Sequence, residues 1–137
     1  MIRRSPDTSV VVAGLSTWHS DHGVALPILA DRPIGIQHVI TESYAVLTRL
    51  PKGRGVAPDT ALRSLRSAFG TDRLTLNSTE LDDLLGRLAS SGISGGATYD
   101  AVVAETARLG NTQLVSLDTR AAQTYEAVGV QYSLLGD

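Results

Sequence analysis

Apolar positions in this chain switch between short runs and a three-and-four spacing, and the alternation predicts an α/β order of elements. Residues 2–6 read as a short first strand ending at Asp7, and 10–15 as a helix despite its β-branched content. Asp21 is placed to cap a second helix running through Ala30, with Pro27 as a kink. Residues 34–40 read as a strand. A helix from Thr41, opening on Glu42, then stops at Pro51 before a loop at 52–55. Residues 59–69 place Ala61, Leu62, Leu65, Ala68 and Phe69 on one side of a helix. Residues 74–76 form a short strand, Asn77 with Glu80 resembles a capping box, and Leu81, Leu84, Leu85 and Leu88 carry helical spacing. A glycine-rich approach over 90–96 leads to a helix from about Thr98 that ends at Gly110 as a left-handed cap. Residues 112–117 are a strand, and Ala121, Ala122, Tyr125 and Val128 face the core from a helix ending at Gly129. A last strand follows over 130–135. The order is β-α-α-β-α-α-β-α-α-β-α-β, and right-handed crossovers make its sheet parallel.

Four acidic residues fall where these strands end or these helices begin: Asp7, Glu42, Asp100 and Asp118. In a parallel sheet those ends share one edge, the edge on which open α/β folds build their sites. Each acid alone has a structural explanation as a helix cap or a macrodipole partner. Caps need not converge, however, and four converging carboxylates repel one another unless a cation joins them. Oxygen ligands of this kind suit a hard divalent ion and phosphate chemistry.

Composition narrows the chemistry. The 137 residues fit a single domain, 1–137, and contain no cysteine, which excludes disulfides, thiolate zinc sites and a cysteine nucleophile. No apolar run is long enough to span a bilayer, and no signal peptide opens the chain, so a soluble cytoplasmic protein is expected. The net charge of −2 hides an uneven distribution. Arg49, Lys52, Arg54, Arg63, Arg66 and Arg73 against Asp59 and Asp72 make residues 49–73 basic, while residues 80–137 are acidic. Arginine outnumbers lysine eleven to one, which suits planar contacts to phosphate, although an arginine-rich solvated helix face gives the same composition.

The quartet, its order and its flanks resemble the PIN domain, above all the VapC toxins of bacterial toxin–antitoxin pairs. Asp7-Thr8-Ser9-Val10 is similar to the opening motif, and Glu42 through Arg49 to the second. Gly96 through Ala104, with tyrosine before the aspartate, is similar to the third. Ser116-Leu117-Asp118-Thr119-Arg120-Ala121-Ala122, followed by Tyr125 and Gly129-Val130, is similar to the fourth. The resemblance implies a three-layer α/β/α sandwich with a mostly parallel five-stranded sheet. It implies Asp7 and Asp100 as principal Mg²⁺ ligands, with Mn²⁺ able to substitute, and Asp118 completing the site. Glu42 would bind a second ion or orient the attacking water, Ser9 and Ser116 would hold carboxylates or water, and Arg120 would contact phosphate. It further implies an endoribonuclease toxin acting on structured RNA, a homodimer, and inhibition by a cognate VapB-type antitoxin docked on helices near 10–30 and 41–69. Two departures stand out: Ile2-Arg3-Arg4-Ser5-Pro6 replaces a nearly continuous apolar strand, and Ser116 stands where threonine is common.

Other residues carry less. His19 and His22 lie three apart without a third ligand, and are expected at the surface or an interface. His38 is expected in a strand near the sheet edge, and Trp18, at a helix junction, is expected to pack there, with an exposed partner contact as the alternative. Residues 92–96 are too irregular for a dinucleotide loop, and no Gly-x-Ser-x-Gly elbow exists. A receiver-like module needs a lysine near the last strand, and the only lysine is Lys52. Another metal-dependent phosphoesterase or nuclease, or a non-catalytic RNA- or protein-binding domain, remains the alternative, because the acids alone do not choose the ester.

Overall fold

A computed structural model describes residues 2–51 and 53–136, so Lys52 of the basic stretch lies outside the described residues. The elements are β1 (Arg4–Pro6), α1 (Thr8–Leu15), α2 (His22–Ala30), β2 (Gly35–Ile36), α3 (Gln37–Thr48) and α4 (Pro58–Ala68), then β3 (Arg73–Leu74), α5 (Ser78–Ser91), α6 (Ala97–Leu109), β4 (Gln113–Ser116), α7 (Ala121–Val128) and β5 (Tyr132–Leu134). This is the order that the apolar pattern predicts.

β1 pairs with β4, β4 with β5, and β2 with β3, all in parallel. The Ile34 N–H donates to the Arg4 carbonyl at 3.0 Å, so the two ladders run on as β3-β2-β1-β4-β5. The order reverses between β1 and β4, which opens a crevice at their carboxyl ends. Pro6 does not disturb β1. The Asp7 N–H donates to the Val115 carbonyl at 2.9 Å, the Gln113 N–H donates to the Arg3 carbonyl, and Arg4 bonds on the other side to Ile34. Alternation along the strand therefore turns the Pro6 nitrogen away from β4. The Ser5 hydroxyl, wholly buried, donates to Thr112 Oγ1 at 2.9 Å and ties β1 to the residue that leads into β4.

Successive residues of β4 feed opposite layers. Leu114 packs with Val11, Val39, Leu65, Ala104 and Tyr125, while Val115 packs with Val10, Ala13, Ala25 and Ile28. Helices thus cover both faces, as expected of a three-layer sandwich.

Several local expectations need correction. The strand expected over 34–40 is confined to Gly35 and Ile36, and α3 begins at Gln37. Val39, Ile40, Ser43 and Leu47 are its buried residues, a helical spacing that a β-branched run disguises. Glu42 therefore sits inside α3 rather than opening a helix, and His38 is a helical residue, stacked on Tyr99 with ring centroids 5.6 Å apart. The strand expected over 74–76 is Arg73–Leu74. Of the two leucine stripes, Leu65, Leu84 and Leu88 are buried, whereas Leu62, Leu81 and Leu85 face outward. Gly110 is not left-handed: its φ is −80°, and Asn111 takes the positive φ of 55°. Gly110 instead packs closely, and a Cβ there would stand 2.5 Å from Leu74 Cδ1 and force that side chain to shift. Gly129 does carry the left-handed cap, with φ 93°. Asn77 and Glu80 form a complete capping box, but the Asp21 side chain makes no capping bond to α2.

Candidate active site

Asp7, Glu42, Asp100 and Asp118 line one cleft of about 570 Å³, together with Arg49, Arg120 and Tyr125. Four separate elements bring them there. Asp7 follows β1 and caps α1, accepting the Val10 N–H at 3.3 Å. Glu42 comes from α3, Asp100 from the first turn of α6, and Asp118 from the turn after β4.

Asp7 is the most constrained. It is buried, its Oδ1 accepts the Ser9 hydroxyl, and its Oδ2 accepts the Tyr125 hydroxyl at 2.7 Å. Ser9 Oγ in turn accepts the Leu117 N–H at 2.9 Å, which fixes α1 to the end of β4. Ser116 Oγ accepts the Asp118 N–H at 2.9 Å, and Asp118 Oδ1 accepts the Arg120 N–H at 2.9 Å and the Ala121 N–H at 3.3 Å. Thr8 donates its hydroxyl to Glu42 Oε1. Ser9 and Ser116 therefore hold the acidic loops, and Arg120 stands at the mouth with its side chain exposed.

The acids feel one another. Burial raises the Asp100 pKa above its ordinary value, and the charges of Asp118, Glu42 and Asp7 raise it further, with Arg120 opposing. Burial also raises that of Asp7, against hydrogen bonds from Ser116, Ser9, Tyr125 and Val10. Tyr125 is pushed far upward by burial and by the Asp7 charge, so its hydroxyl keeps its proton and remains a donor. As the side chains stand, no three acidic or histidine groups among the described residues are gathered closely enough to enclose an ion. The donor set nevertheless fits a hard divalent cation: only oxygen ligands, mutually repelling, with no histidine or thiol among them.

The sequence pattern of the PIN domain matches residues 6–127, which takes in all four acids. The chain belongs to the PIN-domain family. This PIN domain is 39% identical over 131 residues to Ribonuclease VapC40 of Mycobacterium tuberculosis, covering 96% of this chain and 98% of that one. It is likewise 39% identical over 125 residues to Ribonuclease VapC27 of the same species, covering 90% of each. These relatives make it a VapC-type PIN ribonuclease. The crystal structure of Mycobacterium tuberculosis VapC20, described as a sarcin-ricin loop cleaving toxin, matches it with a TM-score of 0.67. That match covers 93% of this chain and 95% of VapC20, and at 18% identity it speaks to the fold alone.

Three residues of the PIN cleft escape the sequence reading. Tyr125 reads as a core residue of α7, and it is 2% exposed, but its hydroxyl reaches the Asp7 carboxylate. Thr8 and Arg49 lie inside the first and second motifs, the only signal that would have found them. Trp18 is exposed, which goes against the packing reading and leaves the exposed-contact alternative. His19 and His22 make local bonds, Nδ1 of His19 to the Asp21 N–H and Nδ1 of His22 to the Ala13 carbonyl, both at 3.0 Å. Among the described residues no helix is long and apolar enough to cross a membrane.

Proposed function

We propose that this chain is the toxin of a type II toxin–antitoxin pair, an endoribonuclease that hydrolyses phosphodiester bonds of structured RNA in the cytoplasm. The observation that carries this reading is the meeting of Asp7, Glu42, Asp100 and Asp118 in one cleft with Arg49 and Arg120. Names of the relatives, ribonucleases of the VapC kind, support it. Asp7, Asp100 and Asp118 would hold Mg²⁺, or Mn²⁺ in its place, with Glu42 beside them. Such an ion supplies Lewis acidity and a counter-charge for phosphodiester hydrolysis. The chain's own groups do the rest. Ser9, Ser116 and Tyr125 fix the carboxylates before substrate arrives, which removes reorganisation from the reaction. Arg120 and Arg49 grip the phosphate as charge-assisted donors. Glu42, steadied by Thr8, orients the attacking water and takes its proton.

The antitoxin reading rests on a groove of about 610 Å³ between α2 and α4, with Leu15, Leu26 and Leu29 on its apolar side and Arg32 and Arg63 on its basic side. A VapB-type partner would cover it and silence the enzyme, and a homodimer is the expected assembly of the toxin. The test is RNA cleavage with Mg²⁺ or Mn²⁺ by wild type, Asp7→Asn and Asp100→Asn. Only wild type is expected to cut, and only without chelator; equal activity in all three rejects the assignment.

A further inference from the structure

Beside the acidic cleft lies a second cavity of about 410 Å³, which shares Thr8, Ser9, Val46 and Asp118 with it. Its size falls in the range of roughly 300–1,000 Å³ typical of small-ligand sites. Val12, Val46 and Leu117 supply apolar walls, and His19 and Asp21 add polar groups from the connection between α1 and α2. Because His19 Nδ1 accepts the Asp21 N–H at 3.0 Å, the proton of its neutral ring sits on Nε2, which is left as a donor. One N–H donor beside a carboxylate acceptor at Asp21 is a mixed set, suited to the edge of a heteroaromatic base.

The rim adds a second observation. Trp18 is 44% exposed, its ring lies 5.5 Å from that of His19, and the Arg54 guanidinium stands 4.8 Å from the indole centroid. An exposed indole under a guanidinium offers a stacking face and a cation together, the pairing that holds single-stranded nucleic acid. The bonds that fix Asp7, Glu42 and Asp118 come from other residues. These rim residues can therefore vary without dismantling the acidic cleft.

We propose that this cavity binds an unpaired nucleobase of the RNA, next to the phosphodiester held in the acidic cleft. His19 and Asp21 read its edge, and Trp18 with Arg54 holds the neighbouring nucleotide. The inference rests on the ribonuclease reading above and adds where the base beside the cut is recognised.

Trp18 is the sole tryptophan, so its fluorescence reports this rim alone. The full-length Asp100→Asn protein is titrated in Mg²⁺ with tetranucleotides of adenine, uracil, cytosine or guanine. In parallel, wild type, His19→Ala and His19→Gln cleave RNA hairpins with a randomised loop. At least one tetranucleotide is expected to quench Trp18 saturably, and adding His19→Ala to weaken it about tenfold, the size of one lost base contact. In the cleavage products His19→Ala flattens the base preference at one position beside the cut while cleavage of the pool continues, and His19→Gln, which keeps an N–H donor, restores part of it. Wild-type cleavage with Trp18 silent to all four tetranucleotides, and a base preference untouched by His19→Ala, overturns the base pocket alone. Saturable quenching that His19→Ala weakens, with no wild-type cleavage, upholds nucleobase binding in the cavity and overturns both the ribonuclease reading and the placement of that base beside a cut. Silence in both overturns both.

Discussion

Replacing Tyr125 by phenylalanine removes one hydroxyl and leaves the ring that packs in the core. That hydroxyl donates to Asp7 Oδ2 at 2.7 Å, and Asp7 is buried. A hydrogen bond to a charged group contributes roughly 1.5–3 kcal/mol, and one between neutral groups about 0.5–1.5 kcal/mol. The cost of Tyr125→Phe should therefore depend on whether Asp7 is ionised. Burial already raises the Asp7 pKa, and the tyrosine bond is one of the contacts that hold it down. Losing the bond raises it further. A group whose folded pKa is raised loses stability as pH climbs through that value, and the variant must lose more than wild type. The difference in unfolding free energy, read by urea titration in chelator, should thus grow from about 1 kcal/mol near pH 4 to about 2–3 kcal/mol near pH 8. For a chain of this size the upper figure lowers Tm by roughly 6–15 °C. The acidic limb of the pH–cleavage profile should move to higher pH in the same variant. A destabilisation identical at both pH values, with an unmoved profile, would refute an ionised Asp7 held by Tyr125.

Two further outcomes follow from the same electrostatics. In chelator, wild type should lose stability as pH rises above the ordinary aspartate value, because Asp100 has its folded pKa raised by burial and by Asp118, Glu42 and Asp7. Asp100→Asn should remove that loss and melt above wild type at pH 7.5 by calorimetry, while RNA cleavage falls to background. On the far side of α6, Glu105 is 3% exposed and accepts two bonds from Arg108, at 2.7 and 2.9 Å, and one from Arg87. Burial pushes its pKa up, but the bonds and charges of Arg108 and Arg87 outweigh it and leave the pKa lowered. Its contribution is therefore present above the ordinary glutamate value and lost on acidification through the lowered one. Glu105→Gln should cost about 1 kcal/mol at pH 7, the low end because both arginines reach solvent, and leave cleavage unchanged.

Much of this was legible in the residues. Apolar spacing supplied the order of the twelve elements among the described residues because short apolar runs and turn residues mark the strands, while amphipathic helices such as α4 and α5 bury residues at helical spacing. It failed over 34–40 because a β-branched stretch buried on a helix face looks, along the chain, like a strand. It failed at Gly110 because a glycine packed against the Leu74 side chain is indistinguishable in sequence from one chosen for its handedness. The four acids were visible as motifs, and the crossovers that make the sheet parallel brought them to one edge.

By itself, then, the sequence determined the element order, the parallel sheet and the identity of the four acids, since these follow from local periodicity, strand ends and side-chain type. Only tertiary packing decided that the Tyr125 hydroxyl reaches Asp7, that Ser9 joins α1 to β4, and that Trp18 faces out beside Arg54. Such contacts join residues up to 118 apart in the chain. Their geometry depends on how whole layers settle against one another, and no local pattern of residues records it.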